Sequence, residues 1–344
     1  MVKDNFGREI RLFEQLTNKY EVHFLCTDFH LKQDFITKKN DIQYYVVPSS
    51  LMFPLSIIRR VKKLIKKNRY DYIIPTTEPL LGIIGYYYAK KYNIPIIYEV
   101  QDNYEIYDTY KIPFIRKLDY NVIKKSDAVF FSNYALMNKL RFLRNETSPI
   151  IENGVDLDTF KIIPKKFCRK KLNIDQKTKL ITYTGHISKD RGIDKLIQAV
   201  KELREKDKTF YLLLSGKIDK GMNIKYPFVL FKALPKKEEL VMALNASDIL
   251  IIASTDNPFT KYSFPQKLLE YMAVNVPIVA TAVGDVVRIL KPFKGSLCKP
   301  GSIQDLKNKI LLQLNKKMDY RKEAMKYTWK VLSKRLDNII KSVK

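Results

Sequence analysis

Residues 256–285 read DNPFTKYSFPQKLLEYMAVNVPIVATAVGD, and the order of residue types there decides the fold. An apolar run, Asp248 to Ala253, leads in as a buried strand. Ser263-Phe264-Pro265 makes a turn, and Gln266 to Ala273 follows as a short helix with Leu268, Leu269 and Met272 on one face. Val276-Pro277 opens a second buried strand, Ile278 to Ala280, and Gly284-Asp285 turns again. Strand, turn, helix and strand at this spacing form the repeating unit of a parallel α/β sheet. The turn leaves N–H groups without intrahelical partners where the partial positive charge of the helix favours an anion. Ser263, Phe264 and Pro265 are therefore a candidate phosphate cradle. Lys267 puts a cation in the first helical turn, an unfavourable place unless an anion balances it. Glu270 lies one turn further on the same side, and a carboxylate there can accept two ribose hydroxyls. An ordinary surface Lys–Glu pair is the competing account of the same two residues.

SFPQKLLEYMA followed by PIVAT and VGD resembles the donor-site signature of the retaining GT-B glycosyltransferases of family 4 (group 1 glycosyl transferases). That signature has two acidic positions eight residues apart. Glu270 fills the second and Tyr262 stands at the first, a departure from the full pattern. The resemblance implies two Rossmann-like domains facing one another across a cleft, a nucleotide-sugar donor, and Glu270 on the ribose.

The rest of the chain keeps the same rhythm. Tyr20 to Thr27 and Ile42 to Val47 read as strands, and Tyr72 to Pro75 and Ile94 to Val100 flank a helix from Leu80 to Tyr92. Leu180 to Thr184, Tyr211 to Ser215, Val229 to Leu234 and Ile249 to Ala253 are the strands of a second unit, with helices at Ile193 to Lys206 and Lys237 to Asn245. A Rossmann-like domain opens on a strand; here a loop with Gly7 and a helix come first, so the first strand of the N-terminal domain is read as missing. SDAVFFSN and then IIENGVDLDTF resemble the segment where the family's first domain ends. The expected division is 1–155 for an acceptor-binding domain, 156–178 for a linker, 179–320 for a nucleotide-sugar-binding domain, and 321–344 for a helix crossing back to the first.

In YTGHISKDRGIDKLIQA, residues 183–199, Gly185 matches the family's turn, His186 stands where Arg is common, and Arg191 takes the place of a Lys. Arg191 is the best partner for a diphosphate, since a guanidinium binds two phosphate oxygens at once. Lys267 is second. Fixed positive charge at a departing diphosphate supplies most of the catalysis in sugar transfer. Gln101-Asp102-Asn103 follows a strand's carboxyl end, where open α/β sheets bind ligands. Gln101 occupies a position that is often His in relatives and exchanges no proton, so Asp102 is the one nearby candidate base. The resemblance also puts Gly7 in the acceptor-facing loop. The catalytic candidates are thus Asp102, Arg191 and Lys267. The substrate-binding candidates are Gly7, Gln101, Gly185, His186, Ser263, Phe264, Pro265 and Glu270.

The chain has 344 residues, enough for two domains, and 63 basic against 36 acidic residues give a net charge of +27. Such a field draws anions: phosphorylated substrates, acidic lipid or nucleic acid. Helix Leu55 to Asn68 sets Ile57, Ile58, Val61, Leu64 and Ile65 against Arg59, Arg60, Lys62, Lys63, Lys66 and Lys67, which suits either an anionic membrane surface or a core-packed helix. No aromatic residues interleave with the basic runs as a stacking platform requires, so no nucleic-acid partner is expected. Cys26, Cys168 and Cys298 lack paired spacing, which argues against disulfides or zinc. No Asp-x-Asp pair ends a strand; Asp156 and Asp158 have the spacing but lie beyond the Asn153-Gly154 turn. The expectation is metal-independent, retaining transfer from a nucleotide sugar, with no other cofactor, to a glycan or lipid-linked acceptor. Its expected place is the cytoplasm, peripheral on the inner membrane face. The alternative is a non-catalytic donor-binding GT-B subunit supporting a partner enzyme, motivated by Tyr262, Gln101 and His186.

Overall fold

The computed structural model describes residues 7–28, 34–48, 53–144, 146–314 and 316–343, with the backbone alone for 53 and 54. The chain divides into two compact units, Met1–Asn153 with Trp329–Lys344, and Gly154–Thr328. The reading that no strand precedes the first helix bears on residues 1–6, which lie outside those described.

The first unit holds α1 (Arg8–Phe13), β1 (Val22–Asp28), β2 (Phe35–Lys39), β3 (Ile42–Pro48), α2 (Phe53–Lys67), α3 (Pro79–Tyr92), β4 (Ile97–Val100), α4 (Ile115–Lys125), β5 (Ala128–Phe131) and α5 (Tyr134–Leu140). β1 and β3 pair in parallel, and β2 pairs antiparallel with β3. The sequence reading missed β2. Its hairpin is closed by Asn40 and Asp41, with φ of 48° and 58°, the backbone that a two-residue turn between strands demands. β4 and β5 form a separate parallel pair. Tyr72 to Pro75, read as a strand, contributes only the bridge between Ile73 and Ile96, because Pro75 and Pro95 have no N–H to extend the ladder. In α2 the apolar stripe is used internally: Ile57 and Leu64 are buried, and the helix packs on β1, β3 and α3. Arg59, Lys62, Lys63, Lys66 and Lys67 face solvent, and so does Leu55.

The second unit holds α6 (Lys165–Leu172), β6 (Lys179–Thr184), α7 (Ile193–Lys206), β7 (Phe210–Ser215), β8 (Val229–Phe231), α8 (Lys237–Ala246), β9 (Ile249–Ile252), α9 (Pro258–Tyr262), α10 (Gln266–Ala273), β10 (Ile278–Thr281), α11 (Asp285–Leu290), β11 (Leu297–Cys298), α12 (Ile303–Gln313) and α13 (Tyr320–Ala324). Its six strands are all parallel, in the order β11-β10-β9-β6-β7-β8. Strands covered on both faces read as continuous apolar runs, which is why ILII and IVAT are strands without alternation. Successive side chains still point to opposite faces. Leu250, Ile252, Ile278 and Ala280 pack with α10, while Ile249, Ile251 and Val279 pack with α7 and α12. The stretch 156–178 is more than a tether: it contains α6, whose Cys168 joins a core cluster with Leu180, Leu213 and Ala246.

α14 (Trp329–Ser342) returns to the first unit, where Leu332, Leu336, Ile339 and Ile340 pack with Leu12, Leu16, Ile97 and Phe130. Ser333 Oγ donates to the Leu12 carbonyl at 2.7 Å, and Asp337 accepts from Lys19 and Tyr20 at 2.6 and 2.7 Å.

Candidate functional site

In the second unit the site candidates gather at the carboxyl ends of β6 and β9 and the start of α10. α10 forms where the apolar spacing placed it, burying Leu268, Leu269 and Met272. Two residues one turn apart on α10 grip the end of β6. Lys267 Nζ donates to the Thr184 carbonyl at 2.7 Å. Tyr271 Oη accepts the Thr184 N–H at 3.0 Å and lies 3.0 Å from Thr184 Oγ1. Gly185 follows with φ +124°, and a Cβ there would come within 2.6 Å of Lys267 Nζ, so only glycine leaves room for the ammonium.

Arg191 ends a 3₁₀ turn, Lys189–Arg191, capped by Ser188, whose Oγ accepts the Arg191 N–H at 3.3 Å. Gly192 (φ +68°) then starts α7 so close to β9 that a Cβ would lie 2.1 Å from the Ala253 carbonyl oxygen. The Arg191 guanidinium lies 4.7 Å from the centre of the Phe259 ring on α9. Burial pulls the Lys267 pKa down to about 7; Arg191 lowers it further, and Glu270 partly offsets the two. Burial likewise pushes Glu270 up to about 7, against the pull of Lys267 and Lys237. Two cations and one carboxylate therefore share this corner, and among the described residues neither cation makes an ion pair.

The cradle is narrower than the sequence reading expected. Gln266 N–H donates to the Phe264 carbonyl at 2.9 Å and Leu268 N–H to Pro265 at 2.9 Å, so two donors of the turn are already satisfied. Phe264 is buried in the core beneath α10, and Ser263 is tied to α9 through its N–H to Phe259. Charge from Lys267 and Arg191, rather than open backbone, is what the corner offers an anion. His186 is exposed and hydrogen-bonded to Asp219, so its ring is held beside the β7 loop. Asp156 spends its carboxylate on the N–H of Asp158 and Thr159 and on the Thr159 hydroxyl, which caps the turn after Gly154. Among the described residues no three His, Cys, Asp or Glu side chains converge as metal ligands.

In the first unit, Gln101 and Asp102 follow β4 as half-buried loop residues. Asp102 Oδ2 accepts from the Tyr107 hydroxyl at 2.8 Å, and the Gln101 carbonyl accepts from Ser132 Oγ. Gly7 caps α1, its carbonyl accepting the Arg11 N–H at 3.1 Å. Behind it lies a group that the sequence reading missed. Arg8 is buried, donates to Glu99 at 2.8 Å, and donates to the carbonyls of Glu152 and Ile151 at 2.6 and 2.7 Å. Glu9 is also buried, with Oε1 unpartnered. Burial and the Glu99 carboxylate push its pKa to about 7, and Asp102 adds to the shift.

Residues 164–331 match the family model "Glycosyl transferases group 1", and residues 10–159 match "Glycosyltransferase Family 4". The capsular polysaccharide biosynthesis glycosyltransferase CapM of Staphylococcus aureus is 25% identical over 320 residues, 86% of this chain and 80% of CapM. TuaC of Bacillus subtilis, a putative teichuronic acid biosynthesis glycosyltransferase, is 23% identical over 55% of this chain and 47% of its own length. Among solved structures, Anabaena HepE in complex with UDP superposes with a TM-score of 0.76 at 18% identity, over 98% of this chain and 97% of HepE. Sucrose-phosphate synthase from Thermosynechococcus elongatus gives 0.75 at 17%, over 97% and 92%. The chain belongs to the group 1, family 4 glycosyltransferases. Its fold is GT-B, two Rossmann-like domains.

In this glycosyltransferase the motif signals singled out α10 and the 3₁₀ turn, since both are local. Asp219, Tyr271, Phe259 and Gly216 were not found. Gly216 has φ +139°, and a Cβ there would meet the Gly185 carbonyl oxygen at 1.9 Å, so it fixes the β6 loop from the neighbouring strand. The Ser215-Gly216 pair after an apolar run was its only sequence signal.

Proposed function

We propose that the chain moves a sugar from a nucleotide-sugar donor, with retention and without a metal ion, to a glycan or lipid-linked acceptor at the cytoplasmic membrane face. The observation that carries this reading is the pair of cations that have no ion-pair partner among the described residues, Arg191 and Lys267, beside Glu270. A diphosphate is the natural counter-charge for such a corner, and bond cleavage at the sugar delivers negative charge to it. Glu270 then accepts the ribose hydroxyls, whose hydrogen bonds favour its ionised form. Residues 179–320 serve the donor, and residues 1–155 the acceptor, with Asp102, Gly7 and Gln101 on that side. The exposed cationic side of α2 supports contact with anionic lipid, at about 1 kcal/mol per basic residue near the surface.

A thermal-shift series with UDP, GDP, ADP and their sugar derivatives tests the donor site. The parent is expected to be stabilised by one diphosphate, and Glu270→Ala to lose that protection. A variant that responds like the parent would remove Glu270 from the site. Transfer or slow hydrolysis of the sugar nucleotide by the isolated chain separates the enzyme from a binding-only subunit.

A further inference from the structure

The two cations of the proposed donor site are held by rings. Lys267 Nζ stands 4.1 Å from the centre of the Tyr183 ring, and the Arg191 guanidinium 4.7 Å from that of Phe259. The electrostatics differ from those of an ion pair in one respect that matters for binding. A carboxylate partner consumes N–H donors and must be displaced when a phosphate arrives; a ring face attracts the cation through its quadrupole and leaves the donors pointing outward. Lys267 has three donors, and one goes to the Thr184 carbonyl. No described residue accepts from the five donors of the Arg191 guanidinium.

The Tyr183 ring is fixed, and the Phe259 ring stands on an anchored helix start. Tyr183 is 1% exposed, and its hydroxyl donates to the His186 carbonyl at 2.9 Å. Phe259 lies on α9, whose start is fixed by Pro258 and by Asn257, the side chain of which accepts the Thr260 N–H at 2.9 Å. Phe259 is 44% exposed, far more than core packing needs. Gly185 completes the arrangement, because any side chain there would displace the ammonium from above the Tyr183 ring.

We infer that Tyr183 and Phe259 are positioning residues: each ring holds one cation in place with its donors open to the diphosphate of a nucleoside diphosphate. The inference rests on the donor-site reading proposed above, and the test separates the two.

UDP, GDP and ADP and the matching monophosphates are titrated calorimetrically into the full chain, and the base with the tightest diphosphate binding is carried forward. Phe259→Leu and Tyr183→Leu are each expected to weaken the diphosphate about threefold to tenfold while the monophosphate moves less than about twofold. Phe259→Tyr and Tyr183→Phe keep a ring face and are expected to bind within about twofold of the parent. If the parent binds none of the diphosphates, the donor-site reading falls and takes this inference with it. If Lys267→Met weakens the diphosphate but both leucine variants bind like the parent, the donor site stands and the role of the rings is overturned. Equal loss of monophosphate and diphosphate affinity, or failure of the ring-keeping variants, overturns it as well. Because Phe259 is largely exposed, its variants decide the matter even if Tyr183→Leu does not fold.

Discussion

Lys267 in the second unit is half-buried and Glu9 in the first is buried, and loss of water brings the pKa of each to about 7. Their neighbours differ. Lys267 stands with Arg191, a charge of its own sign, and Glu270 offsets only part of the cost. Glu9 stands with Glu99 and Asp102, again of its own sign, but Arg8 already answers Glu99 at 2.8 Å. Excess like charge in a fold is relieved by a counter-ion or by a proton. The positive corner lies at the carboxyl ends of β6 and β9, where the proposed diphosphate would answer it. In the negative one Glu9 is buried on the inner face of α1, and a proton is its nearest relief.

The sharpest way to break this comparison is to remove the cation. Lys267→Met is expected to slow transfer about a hundredfold, from roughly 3 kcal/mol of lost charge stabilisation at the leaving diphosphate. Steady-state turnover with the donor found by thermal shift measures it, and a loss below about threefold would mean that Lys267 faces no developing charge. The mount of Arg191 comes next. Gly192→Ala forces a Cβ against the Ala253 carbonyl at a left-handed φ and should cost roughly 2–4 kcal/mol, read from the denaturant midpoint of the second unit.

Glu9→Gln probes the other side. Its folded pKa of about 7 lies above the unfolded value of 4.5, so the folded state binds more protons between those limits and stability falls as pH rises through that window. The variant is expected to gain on the order of 1–2 kcal/mol over the parent at pH 8 and nothing at pH 4, in urea titrations at both values. Glu270 titrates in the same window and leaves a residual slope in the variant. The smallest effect is the pH dependence of donor affinity. Lys267 loses its proton above about pH 7, so diphosphate affinity should fall by up to about tenfold per pH unit from there, with Arg191 and Glu270 as the other charges acting on it. Lys267→Met should flatten that profile; an unchanged slope would assign the titration elsewhere.

Much of the second unit was legible because its signals are short-range. Leu268, Leu269 and Met272 recur at helical spacing, and ILII and IVAT are long enough for buried strands but too short for helices. Lys267 was singled out as a cation in a first helical turn, and Arg191 by the family resemblance of residues 183–199. What holds them was not, because Tyr271 reaches Thr184 across 87 positions and Phe259 reaches Arg191 across the loop after β9. The first unit was harder for the same reason. Arg8 meets Glu99 and the carbonyls of Ile151 and Glu152 from the far end of the unit's sequence, and nothing near Glu9 marks it as buried. β2 was missed although Asn40-Asp41 is a turn pair, since the strand before it is short and carries Lys38 and Lys39.

The return of α14 sets an order of assembly. Leu12, Leu16, Ile97 and Phe130 are synthesised early, yet the surface that covers them comes with Leu332, Leu336, Ile339 and Ile340, after the whole of the second unit. On the ribosome, the half made first is thus the half completed last, and its uncovered apolar face must wait through the translation of some 175 residues, 154–328.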